Sequence, residues 1–97
     1  MIKVEVYQNK KKVNEWNDHN QNIKQLTAFL WRKTILKASN IRIKYSYNYS
    51  DTQTITFVEK YENYDGTITT TEYRFLNVPT NLGYLDIYRM EANSNEN

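Results

Sequence analysis

From residue 21 to residue 38 apolar side chains recur at helical spacing, and on both sides of that stretch they recur every second residue. A period near 3.6 set between period-two segments confines the chain to a mixed helix-and-sheet architecture. Ile23, Leu26, Phe29, Leu30 and Leu36 fall within one arc of the predicted helix. Ala28, Trp31, Ile35 and Ala38 form a second stripe. A helix with one face in water needs a single stripe. The second one predicts a further contact, with a hairpin, the C-terminal tail or another chain. Asp18 and Gln21 stand at capping-box spacing, as do Asn22 and Gln25. Arg32, Lys33 and Lys37 place cations where the helix dipole is negative, and Ser39-Asn40 is the expected stop.

Ile2, Val4 and Val6 alternate with polar residues and predict a first strand. Val13 to Trp16 would return beside it after a loop over residues 8–12. Beyond the helix, Ile41, Ile43, Tyr45, Tyr47 and Tyr49 share one strand face, and Arg42, Lys44, Ser46, Asn48 and Ser50 the other. Residues 53–61 read as the next strand, with Ile55, Phe57 and Tyr61 opposed to Thr54, Thr56 and Val58. Asp65-Gly66 marks a hairpin turn, and residues 67–76 form the strand that leaves it. Residues 84–90 alternate and read as a last strand, with a short helix as second choice. Residues 91–97 read as a polar, disordered tail. The expected fold class is α+β: a single helix packed on an antiparallel sheet of about four to six strands, in two layers, as one domain over residues 1–90.

Composition narrows the function. At 97 residues the chain holds one small domain, and with no cysteine it can build neither disulfides nor a thiolate metal site. A 14% aromatic content and nearly balanced charge argue against disorder. The longest apolar run, Ala28 to Trp31, is far short of the roughly 20 residues a membrane span needs. The alternating start carries no signal-peptide core. The expected location is a reducing cytoplasm. Asn, Lys, Ile and Tyr make up 39 of the 97 residues. These are amino acids of A/T-rich codons, as expected of a virus, phage or mobile element of a low-GC host.

Catalytic patterns are faint. Asp18-His19 could pair a base with its orienting acid, but neighbours in a loop seldom face each other. Glu59 and Glu72 are the carboxylates a Mg²⁺ nuclease could recruit, if they converged. No phosphate-binding loop exists. The expectation is a non-enzymatic binding protein with no cofactor and no metal site, acting by occupying a host protein's surface in an inhibitory or anti-defence role. Trp31, Ile35, Arg32, Tyr84 and Tyr88 are its partner-binding candidates, and a homodimer would use the same helix stripe. The alternative is a single-stranded nucleic-acid binder. It would stack bases on Tyr45, Tyr47 and Tyr49 and contact phosphates through Lys10, Lys11, Lys12, Arg42 and Lys44. Charge is split along the chain. Residues 1–44 hold ten Lys/Arg against three acids, and residues 45–97 hold three against eight.

Overall fold

The computed structural model of the protein describes residues 1–48 and 50–95, without the side chains of Tyr84 and residues 93–95. Five strands form one antiparallel sheet: β1 (Lys3–Gln8), β2 (Lys11–Trp16), β3 (Ile41–Tyr47), β4 (Thr52–Glu62) and β5 (Ile68–Pro79). Helix α1 (His19–Thr34) lies between β2 and β3 in sequence, and α2 (Tyr84–Asn95) follows β5. The strand order is β2-β1-β5-β4-β3, so β1 pairs with β5 across most of the chain, and β2 and β3 are the edges. This is the α+β class that the periodicity dictates.

Alternation puts Ile2, Val4 and Val6 of the first strand region on one sheet face with Ile41, Ile55, Phe57 and Phe75, and all are buried. Against them α1 lays Ile23, Leu26, Phe29 and Leu30, and α2 adds Ile87. Phe29 stacks on Phe57 at 4.9 Å between ring centroids and leans on Tyr73 at 4.7 Å. Phe57 meets Phe75 edge-on at 5.6 Å. These geometries suit the ring quadrupoles, and they centre the core on α1.

Several local expectations are corrected. Residues 84–90 are helical, because alternation over seven residues also fits a short amphipathic helix, and Ile87 and Tyr88 turn toward α1 and the core. The helix continues to Asn95, so residues 91–95 are not a tail. Helix α1 begins at His19, with Asp18 Oδ1 accepting the Gln21 N–H at 3.2 Å, and ends at Thr34 rather than at 38. Lys37 adopts φ +52°, and the Ala38 N–H reaches back to the Arg32 carbonyl at 3.0 Å, so Lys37 takes the left-handed position expected of Asn40. The loop expected over residues 8–12 is a two-residue turn. Asn9 and Lys10 both have positive φ, at 48° and 73°, as a type I′ hairpin requires.

Two bulges re-aim the strands. Val6 pairs with Asn14 but Tyr7 with Lys12, so Val13 is extra. On β5, Gln53 pairs with Val78 while Ile55 pairs with Phe75, and Asn77 takes φ +63°. The extra residue reverses the alternation after Phe75 and returns Val78 to the core face, where it is fully buried.

Candidate functional site

The helix layer covers one face of the sheet and leaves a cleft of its own. Trp31 is 49% exposed on α1. With Lys24, Thr27 and Ala28 of the same helix and Tyr88 and Glu91 of α2, it lines a groove of about 360 Å³. Tyr88 packs against the core, and its buried hydroxyl has no hydrogen-bond partner among the described residues. The exposed Ile35 sits one turn beyond Trp31, just past the helix end, so the apolar strip continues off the groove. The second stripe read from sequence thus meets α2 and solvent together. The Tyr84 side chain lies outside the described residues.

Arg32 is held within the fold. Its Nη2 donates to Glu59 Oε2 at 3.0 Å, and its guanidinium carbon lies 5.4 Å from the centre of the Phe29 ring. The Glu59 side chain is only 2% exposed, against 40% for that of Arg32. Burial pushes the nearby Tyr73 hydroxyl above its ordinary pKa, and the Glu59 charge pushes it further. Sequence reasoning missed this pair. The signal was present, because Glu59 continues the Ile55-Phe57 alternation and must therefore face the core.

Among the described residues no helix covers the other sheet face. Adjacent rows across it run Glu5, Arg74, Thr56, Lys44 and Tyr7, Glu72, Val58, Arg42. Val58 belongs to this face yet is buried. Arg74 donates to Glu72 at 3.0 Å and lies 3.9 Å over the Tyr7 ring. Toward β2, Lys12 bridges Glu15 at 2.9 Å and Glu5 at 3.0 Å, while Lys3 reaches Glu15 at 2.7 Å. Hydrogen bonds that the Lys12 ammonium donates, to Glu15 first and then to Glu5, hold it far above its ordinary pKa. Lys3 and then Lys12 hold Glu15 below its own. Among the described residues the Lys12 ammonium donates to two carboxylates, Glu5 and Glu15.

The nucleic-acid candidates are scattered. Lys10 lies in the β1–β2 turn, where the Asn9 N–H donates to the Thr70 carbonyl at 2.9 Å. Thr70 pairs with Lys60, level with the start of β3. Tyr47 is at the far end of β3, about 23 Å along the strand. Arg42 and Lys44 lie on the open face, and the exposed Tyr45 and Tyr47 on the helix face. Tyr45 borders a cavity of about 250 Å³ with Gln53, Ile55 and Ile87. Tyr49 lies outside the described residues.

The nuclease carboxylates are likewise divided, with Glu59 on the core face and Glu72 on the open one. Among the described residues no three acids or histidines gather as a metal site would need. His19 has a structural use, since its Nδ1 accepts the Ile2 N–H at 2.9 Å and ties the start of α1 to the N-terminal strand.

No protein-family model, curated protein or solved structure matches the chain. Among the described residues no helix is long and apolar enough to cross a membrane. Function must therefore be argued from surfaces. The surfaces are an apolar groove between two helices, a polar open sheet face, and two sheet edges of different character.

Proposed function

We propose that this chain is a non-enzymatic binding protein of a virus, phage or mobile element, acting in the host cytoplasm by occupying the surface of a host protein. The observation that carries this reading is the groove between α1 and α2, with half-exposed Trp31 at its wall. Tryptophan and tyrosine give large contact area at low entropic cost and dominate binding energy at protein interfaces. A Trp that the described residues leave half in water, beside an exposed Ile35, offers a partner an anchor. Lys24 and Glu91 at the groove supply charges of both signs for a polar rim.

The test is affinity capture from lysates of low-GC bacterial hosts, with wild type and Trp31→Ala as paired baits. A host protein retained by the first and lost from the second is the expected result. Circular dichroism establishes that both baits are folded. Retention that is identical for the two baits, or no specific retention, overturns the reading. Fluorescent single-stranded oligonucleotide titrated at two salt concentrations is expected to show no binding that Tyr47→Ala or Lys11→Ala changes.

A further inference from the structure

The edge strand β3 carries a second, independent surface. Among the described residues it pairs on one side only, with β4. The Lys60 N–H donates to the Asn40 carbonyl at 3.1 Å, and the Asn48 N–H to the Thr52 carbonyl at 2.9 Å. In an antiparallel pair, hydrogen-bonded positions alternate with non-hydrogen-bonded ones. Between these two anchors the register makes Arg42, Lys44 and Ser46 the residues bonded to β4. The main-chain groups of Ile43 and Tyr47 are thereby directed away from the sheet, toward the open edge. Tyr47 is 73% exposed there.

The same register fixes which side chains a new strand would meet. Arg42 and Lys44 are exposed on the open face, and neither has a carboxylate partner among the described residues. The nearest acid in Arg42's row is Glu72, which lies beyond Val58 and is bound to Arg74. An added antiparallel strand would bond to the outward groups of Ile43 and Tyr47. Its residues opposite Arg42 and Lys44 would then occupy non-hydrogen-bonded pairs, where cross-strand side chains come closest. Opposite charge is favoured at those positions and like charge is not. A second copy of β3 has no acidic residue to set against them. The other edge differs, because β2 is bulged at Val13 and its Lys12 and Glu15 are already paired with Lys3, Glu5 and each other. Bulges and satisfied charges blunt an edge, whereas unmatched cations select what may add to it.

We propose that β3 accepts an extended acidic segment of a partner protein as a sixth, antiparallel strand. Every second residue of that segment is Asp or Glu facing Arg42 and Lys44. The residues between are apolar and lie beside Ile43 and Tyr47. The contact is a β-augmentation, with affinity from main-chain bonds and selectivity from the cations. It does not rest on the α1–α2 groove, so the two readings fail separately.

The experiment uses the full chain and two labelled eight-residue peptides, one alternating Val with Glu and one alternating Val with Lys. Fluorescence anisotropy is expected to show binding of the Glu peptide alone, unchanged by Trp31→Ala. The double substitution Arg42→Glu with Lys44→Glu should weaken that peptide about tenfold or more and confer binding of the Lys peptide. Such a swap of preference requires a folded edge, so it cannot arise from unfolding. Hydrogen exchange with the Glu peptide bound should slow at the Ile43 and Tyr47 amides and stay unchanged at Arg42 and Lys44. Equal binding of both peptides, or binding without protection of Ile43 and Tyr47, overturns the proposal. Binding of neither peptide also overturns it, and leaves the two cations as guards against self-pairing.

Discussion

Backbone conformation at single residues contributes to both the turns and the helix end. Lys10 sits at φ +73° in a two-residue hairpin, a conformation that a side chain disfavours by about 1 kcal/mol or more. Its neighbour Asn9 tolerates the same region and also latches the turn to β5, its Oδ1 accepting the Thr70 N–H at 3.1 Å. Lys10→Gly creates the favoured Asn-Gly pair and should raise stability by about 1 kcal/mol, seen as a melting temperature higher by roughly 4–8 °C. A second residue-scale prediction concerns acid. The Asp65 carboxylate accepts the Thr67 hydroxyl at 2.6 Å and the Thr67 N–H at 3.0 Å, and these bonds hold its pKa below the ordinary carboxylate range. A depressed folded pKa means the stabilisation is complete above the unfolded value of about 3.9. It is lost as pH falls through the folded one. Carboxyl-carbon NMR should show Asp65 titrating below the ordinary aspartate value, and Thr67→Val should return it toward that value.

Elements are joined here by a few contacts whose removal has unequal effects. The Arg32–Glu59 bond pins the last turn of α1 to the centre of β4. Arg32→Ala strands a buried carboxylate and should cost about 3 kcal/mol. Glu59→Gln leaves a guanidinium that can turn to water and should cost about 1 kcal/mol. Urea denaturation of the two variants checks the order, and equal losses would contradict it. Much at this scale was legible in the sequence. Asp18 at capping spacing marked the start of α1, and alternation assigned the faces of β1, β3 and β4. What was not legible follows from non-local causes. Segment 84–90 is too short for its period to separate strand from helix, and only burial of Ile87 against the α1 layer decides. The Asn77 bulge is invisible to alternation because it resets alternation. The groove was legible in part, since the Trp31 stripe was visible but its opposing wall on α2 was not.

The molecule as a whole is two hairpin systems whose strands meet along one seam, between β1 and β5, and whose helices close over a shared core. One comprises β1, β2 and α1, and the other the β3–β4–β5 meander with α2. The charge split read along the chain does not become a basic layer against an acidic one. Lys3 and Lys12 meet Glu5 and Glu15 from their own half, while Arg32 crosses to Glu59. Among the described residues, cations without a carboxylate partner include Lys10 and Lys11 at the β1–β2 hairpin, Lys24, Lys33 and Lys37 on and just after α1, Arg42 and Lys44 on β3, and Lys60 on β4.

The β1–β5 seam also orders events in time. The first strand cannot gain its inner neighbour until the fifth has been made, some sixty residues later. A growing chain would hold its N-terminal hairpin and α1 half-assembled until late in synthesis. Long-range pairing of this kind is slow to form. It also gives the chain a natural parting line between Asn40 and Ile41. The piece before that line carries eight basic residues against three acidic ones, and the piece after it five against eight. Cut there, the two halves are oppositely charged complements of a single core. Co-expressed as separate chains they should rebuild the native near-ultraviolet circular dichroism, and they should do so more slowly as salt is raised. Failure of the pair to associate at low salt would mean that the covalent link, rather than the seam, brings β1 to β5.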